Sequence, residues 1–218
     1  MMKIAVIGAT GLVGKGVTAE LVERGHQVIG ISRHADSLPK AENFTALPID
    51  VNSGELVEAL TGVDAVVSAF NGGWENSNLV ADYNQGMSNI LQAAEQTKVP
   101  YLLVVGGAGC LYVAPNLQLV DTKEFPPEIY PAADAIRQWL NKLKNNLTLN
   151  WAFISPAAMF AVNPPRFVAT GKYRVGGNQV LLDQNGQPAD ISVPDLAKAI
   201  ADDVEKKAHL HQHFTVAE

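Results

Sequence analysis

The sequence predicts an α/β protein of the doubly wound Rossmann type, a parallel sheet with helices on both faces and a small C-terminal substrate-side extension. Three observations predict it. Short apolar runs alternate with longer amphipathic stretches along the 218 residues, the rhythm of strand–helix–strand units. The first run leads into Gly8-Ala9-Thr10-Gly11-Leu12-Val13-Gly14, a G-x-x-G-x-x-G spacing between strand and helix. Apolar residues make up 47% and charged residues 17% of the chain, which supports a sizeable core and excludes bulk disorder.

Taken in order, residues 3–7 read as a buried strand ended by glycine. Residues 12–24 read as a helix, with Leu12, Val13, Val17, Leu21 and Val22 at helical spacing and Gly25 as its stop. Residues 27–32 and 44–49 are the second and third strands. Ser53 is expected to cap a short helix with Leu56, Val57 and Leu60 on its face and Gly62 at its end. Residues 65–69 form the fourth strand, 79–98 a long helix, 101–105 the fifth strand, 132–145 a helix and 149–154 the sixth strand. Right-handed crossovers through six such strands fit the order 3-2-1-4-5-6. After Pro156 the rhythm changes. Residues 171–183 read as a hairpin around Gly176-Gly177, Ser192 caps a helix to about Lys207, and residues 214–216 close as a strand. We expect one domain over residues 1–218, with residues 157–190 a small insertion folded over the carboxyl edge of the sheet.

The formal net charge of −6 argues against a nucleic-acid partner. The single cysteine, Cys110, excludes a disulfide framework and a multi-thiolate zinc site. No stretch approaches the roughly 18 apolar residues of a membrane span, and the first apolar run is too short for a signal sequence. The expectation is a cytoplasmic protein, monomer or homodimer, acting on a small molecule with no membrane or nucleic-acid partner. His209, His211 and His213 alternate as if on one strand face. No acid or thiol lies at ligand spacing, so no metal site is expected.

The glycine turn carries the chemistry. In a strand–turn–helix context, Gly8 allows the tight turn, Gly11 lets the backbone approach a diphosphate, and Gly14 lets the helix pack on the strand. The amides at the helix N-terminus then face the anion. At the end of the second strand, NAD readers carry an acid about 20 residues after the loop. This chain has Gly30-Ile31-Ser32-Arg33-His34 there. A guanidinium suits a ribose 2′-phosphate by charge and donor geometry, so NADP(H) is expected over NAD(H). Asp50-Val51, after the third strand, either meets the adenine, with Val51 against the ring, or caps the next turn. Ala69-Phe70-Asn71 follows the fourth strand, where this fold brings backbone against the ribose and diphosphate, and Gly72-Gly73 is read as a mobile connection.

These residues suggest a family. The chain resembles the atypical short-chain dehydrogenases, in particular the small NAD(P)H-binding group of NADH-flavin-reductase-like, biliverdin-reductase-B-like and NmrA-like proteins. The resemblance rests on Gly8–Gly14, Gly106-Gly107-Ala108-Gly109, Val120-Asp121-Thr122-Lys123-Glu124-Phe125-Pro126, Asn150-Trp151-Ala152-Phe153-Ile154-Ser155-Pro156, Gly171-Lys172-Tyr173-Arg174 and Ile191-Ser192-Val193-Pro194-Asp195. It implies that Gly8, Thr10, Gly11 and Val13 line the phosphates, with Leu12 beside them. It implies that Arg33 holds the 2′-phosphate and that Gly106, Gly107, Ser155 and Pro156 border the nicotinamide. It also implies an oxidoreductase working on a planar acceptor such as a flavin or quinone, or a non-catalytic NmrA-like sensor of the dinucleotide.

The chain departs from the typical short-chain dehydrogenase in lacking its Tyr-x-x-x-Lys pair. Tyr83, Tyr101, Tyr112, Tyr130 and Tyr173 are followed four residues on by Met87, Val105, Asn116, Asp134 and Gly177. That fits hydride transfer with little acid–base help from the protein, and it equally fits a protein that binds the dinucleotide and does no chemistry. Tyr130 is the candidate proton donor or stacking group. Cys110 is a candidate reactive thiol, weighed against a packing role. Trp74, in Asn71-Gly72-Gly73-Trp74, is a candidate to stack on the acceptor. The Pro-rich connection 118–131 reads as a lid or surface loop without secondary structure.

Overall fold

A computed structural model describes residues 1–38, 40–73, 76–160 and 162–218. Among these residues the main sheet has eight strands: β1 (Lys3–Ile7), β2 (Gln27–Ile31), β3 (Phe44–Leu47), β4 (Ala65–Ser68), β5 (Leu102–Val105), β8 (Trp151–Ser155), β9 (Arg174–Gly176) and β10 (Gln212–Ala217). Strands β6 (Tyr112–Ala114) and β7 (Leu117–Gln118) form a separate two-stranded ribbon. The order across the main sheet is β3-β2-β1-β4-β5-β8-β10-β9. The first six positions are the expected 3-2-1-4-5-6, all parallel, so the chain reverses direction across the sheet between β1 and β4.

Both faces of the sheet are covered, which is why its strands read as continuous apolar runs. Alternate residues serve opposite faces. Ile4, Val6, Ala65, Val67, Leu103 and Ile154 pack beneath α1 (Leu12–Glu23) and α5 (Val193–Lys206). Ala5, Ile7, Val66, Leu102, Val104 and Phe153 pack beneath α2 (Leu56–Leu60), α3 (Leu79–Thr97) and α4 (Tyr130–Lys144). Helix α1 presents Val17 and Leu21 to its core, one turn apart, and stops where Gly25 takes φ +80°. Helix α5 starts at Ser192, whose Oγ accepts from the Asp195 backbone N–H at 3.2 Å, the expected cap. Ser53 does not cap α2. Its hydroxyl instead donates to the Asp50 carbonyl at 2.8 Å, inside the preceding turn.

The tail departs from expectation. No hairpin forms around Gly176-Gly177. Strand β9 pairs antiparallel with β10, Thr215 opposite Gly176 and Ala217 opposite Arg174. Strand β10 itself runs parallel to β8, leaving an open edge of backbone N–H and C=O groups that β9 satisfies. The tail therefore widens the sheet and lays α5 beside α1, rather than simply folding over the sheet's carboxyl edge. Two motifs behind the resemblance form one clamp. The Asp195 carboxylate accepts from the backbone N–H of Thr170 at 2.7 Å and of Gly171 at 3.0 Å. Tyr173 donates to Asp202 at 2.5 Å.

The connection 118–131 also carries more structure than expected. Strand β7 is followed by a 3-10 turn at Leu119–Asp121 with Val120 buried, and Asp121 accepts two hydrogen bonds from Arg137 Nη1 of α4, at 2.6 and 2.7 Å. Of the three alternating histidines only His213 lies in β10. His209 and His211 precede the strand and stack on Phe214 and Trp151, so they share no face.

Candidate dinucleotide site

The glycine turn links β1 to α1 at the carboxyl edge of the sheet. Gly8 takes φ +80°, a backbone conformation that a side chain strains, and a Cβ there would stand 2.5 Å from the Ala69 carbonyl oxygen. Gly8 and Ala9 donate their N–H groups to the Ile31 carbonyl at 2.9 and 3.2 Å, tying the turn to the end of β2. At Gly14 a Cβ would stand 2.1 Å from the Gly8 carbonyl oxygen, so only a bare backbone lets α1 come this close. Helix α1 starts with no side-chain cap at Gly11 and no acid in its first turn. Its free amides and the positive end of its dipole are left for an external anion.

Thr10 and Ser32 share a hydrogen bond of 2.6 Å between their hydroxyls. This brings the glycine turn against the start of Ser32-Arg33-His34, a contact that no sequence motif points to. A small hydroxyl residue at the end of the second strand was the available signal. Arg33 is exposed and makes no ion pair with the described residues, so its guanidinium is free for an anion beside the turn. The donor set fits a phosphorylated dinucleotide: open amides, an uncapped helix end and an uncommitted arginine at the carboxyl edge.

The neighbouring loops are more constrained than the sequence suggested. Asp50 accepts from the Asn52 backbone N–H at 2.9 Å, so it caps its own turn. Val51 is buried, and a Cβ on Gly86 would meet its methyl at 3.1 Å. Its side chain belongs to the core under α3, which corrects the expectation that it meets the adenine. Ala69 lies against Gly8, and Phe70 stacks on Tyr83 at 6.1 Å between ring centroids. Asn71 accepts from the Gly73 N–H at 2.7 Å, and Asn76 donates to the Gly72 carbonyl at 3.0 Å. The Gly72-Gly73 connection, read as mobile, is thus hydrogen-bonded on both sides. Trp74 lies outside the described residues.

On the far side of the switch point, Gly106 and Gly107 follow β5. Ser155 and Pro156, at the end of β8, are both buried. The Ser155 hydroxyl donates to the Gly107 carbonyl at 2.8 Å and meets His213 Nε2 at 2.9 Å, so its side chain is committed inside the protein. Cys110 is fully buried. Desolvation pushes its thiol up to about 12, against the lowering effect of a Gly107 backbone contact and of Arg137 and Lys144. This corrects the reactive-thiol reading: Cys110 packs as a small apolar side chain. Tyr130 is 42% exposed at the first position of α4, with Pro131 next. It lines a cavity of about 390 Å³ with Val120, Asp121, Thr122, Phe125 and Pro127. A Cβ on Gly109 would touch Val120 and Phe125 at 3.3 and 3.6 Å, so the cavity adjoins the loop that begins at Gly106. A second cavity of about 630 Å³ runs between α1 and α5, with Thr10, Leu12 and Phe167 among its walls. No helix among the described residues is long and apolar enough to cross a membrane, and none of their side chains cluster as metal ligands.

A doubly wound sheet with an anion-receptive glycine turn at its switch point defines a dinucleotide-binding protein. The chain belongs to the NAD(P)H-binding family, whose pattern it matches over residues 8–207, and its cofactor is a nicotinamide dinucleotide. It is 37% identical over 218 residues to the uncharacterized protein YwnB of Bacillus subtilis, covering 99% of this chain and 98% of that protein. Among solved structures, a "putative NADH-flavin reductase" of Streptococcus pneumoniae aligns over 100% of both chains at 33% identity and a TM-score of 0.85. A "putative epimerase" of Bacteroides thetaiotaomicron aligns over 99% of this chain and 96% of its own at 35% identity and a TM-score of 0.87.

Proposed function

We propose that this chain is an NADPH-dependent oxidoreductase that reduces a planar conjugated acceptor, a flavin or quinone, in the cytoplasm, where the reduced dinucleotide pool lies. The observation that carries the reading is a pair of sites along one sheet edge: the uncapped, acid-free start of α1 beside Arg33, and the cavity walled by Phe125 and Tyr130 beside the loop from Gly106. The likeness to the Streptococcus pneumoniae protein supports the acceptor class. The bound dinucleotide supplies the chemistry, a hydride from its reduced nicotinamide.

The chain's own part is to hold and orient. Amides of Leu12 and Val13 face the diphosphate, the Gly11 N–H closes the turn on the Gly8 carbonyl at 2.9 Å, Thr10 and Ser32 steady the turn, and Arg33 takes the 2′-phosphate. Gly106 and Gly107 give the nicotinamide a flat backbone wall. Phe125 and Tyr130 offer apolar ring surface to the acceptor. No tyrosine is followed four residues on by a lysine, and the Tyr130 hydroxyl has no hydrogen-bond partner among the described residues. An acceptor that exchanges protons with solvent suits such a cavity.

Mixing the pure protein with NADPH and FMN, riboflavin or a quinone, and following NADPH absorbance, tests the reading. Protein-dependent turnover is expected. Tight dinucleotide binding without turnover on any of these acceptors would overturn the reductase assignment and favour an NmrA-like redox sensor.

A further inference from the structure

His213 is a buried titratable residue that the reading above leaves without a role. It lies on β10, two strands from β5 in the sheet. Its Nε2 meets the Ser155 hydroxyl at 2.9 Å, and that hydroxyl donates to the Gly107 carbonyl at 2.8 Å. The serine proton is committed to Gly107, so the imidazole must donate and the serine oxygen accept. Burial holds the ring neutral, its pKa lowered to about 4, with a smaller push from Lys144. The remaining nitrogen, Nδ1, is buried and has no partner among the described residues. A buried polar atom without a partner costs stability, and a plain apolar side chain would avoid that cost.

The same ring supports the neighbouring residue as well. It meets Phe153 edge-on at 5.3 Å between centroids, and a Cβ on Gly106 would fall 2.0 Å from the Phe153 ring. Phe153 thus lies directly under Gly106, and Ser155 grips Gly107. The Gly107 carbonyl also accepts from the Cys110 N–H at 3.2 Å. With both lone pairs used, the plane of the Gly107–Ala108 peptide is fixed.

We propose that His213 is a positioning residue for the nicotinamide half of the cofactor, setting the Gly106-Gly107 backbone through Ser155 and Phe153. This rests on the reading that Gly106-Gly107 borders the nicotinamide. The last strand of the chain, outside the six-strand core, then takes part in cofactor binding without touching the cofactor.

The test compares ligands with and without the nicotinamide. NADPH and NADH are titrated calorimetrically against wild type, His213→Phe, His213→Gln and Ser155→Ala. ADP-ribose and its 2′-phosphorylated form, which carry every other part of the two dinucleotides, are titrated alongside. Loss of one positioned hydrogen bond predicts about tenfold weaker dinucleotide binding in His213→Phe and Ser155→Ala. Binding of the fragments should stay within about twofold, which also reports that each variant is folded. His213→Gln, whose amide nitrogen replaces Nε2 as the donor, should restore dinucleotide binding to within about threefold of wild type. Equal weakening of dinucleotides and fragments would reduce His213 to general packing and overturn the proposal. So would unchanged dinucleotide binding in both His213→Phe and Ser155→Ala. A wild type that binds neither kind of ligand would instead overturn the cofactor reading itself.

Discussion

Gly14→Ala tests the geometry on which the cofactor site depends. The new Cβ would stand 2.1 Å from the Gly8 carbonyl oxygen, 2.8 Å from the Gly8 carbonyl carbon and 3.0 Å from Ala9 Cα. All three are backbone atoms of the turn itself, so no flexible side chain can swing aside. Ordinary contact begins at 3.4 Å, and α1 must therefore withdraw from the turn by about 1.3 Å at this point. Overpacking of this kind costs about 1–3 kcal/mol, or roughly 2–12 °C in Tm for a chain of this size. The larger consequence is for binding. Hydrogen bonds tolerate only about 0.5 Å in distance, so a shift of this size removes at least one amide from the diphosphate. A bond to a charged group is worth about 1.5–3 kcal/mol, which predicts affinity for NADPH and NADH lower by roughly 10- to 100-fold. Calorimetric titration gives the affinities, and scanning calorimetry the Tm. Gly54→Ala is the control, because its Cβ would meet nothing within 4 Å. A folded Gly14→Ala protein that binds either dinucleotide within twofold of wild type would refute the placement of the diphosphate on these amides.

Three further outcomes are expected. Arg33→Ala should weaken NADPH by about 1.5–3 kcal/mol while leaving NADH unchanged; an unaltered preference in competitive titration would remove Arg33 from the site. At Asp202, burial alone would raise the carboxyl pKa, but hydrogen bonds from Tyr173, Lys198 and Arg24 outweigh it and bring it down to about 2. That stability is fully present above the ordinary carboxylate pKa near 4 and is lost as pH falls towards 2. Urea unfolding should show a loss on the order of 2 kcal/mol across that window in wild type, and little of it in Asp202→Asn. Finally, Cys110 in the native protein at pH 8 should react with a maleimide at least about 100-fold more slowly than in urea, since burial holds it as a thiol; comparable rates would mean that the loop after Gly107 opens readily.

Much of this site was legible in the sequence because its signals are local. A strand buried on both faces reads as an apolar run, and an amphipathic helix reads at its own period. The turn from Gly8 to Gly14 is set by short-range sterics that glycine satisfies at Gly8 and Gly14, so its spacing marks a tight strand-to-helix turn before any neighbour is placed. Arg33 stood out through the absence of an acid at one position. Val51 could not be placed in this way. Whether it faced an adenine or α3 depended on Gly86, 35 positions further along the chain.

The alternation of elements, the strand order that their crossovers allow and the glycine turn could all be read from the residues, because each rests on patterns within short segments. Pairing across distance came only from the packed fold. Strand β9 chose the open edge of β10 over its own hairpin, Ser32 met Thr10, and His213 reached Gly107 through a serine 58 positions before it. The physical reason is that unsatisfied hydrogen-bonding groups take whichever partner the packed chain brings within about 3 Å. Residue order does not record that proximity until the sheet has assembled.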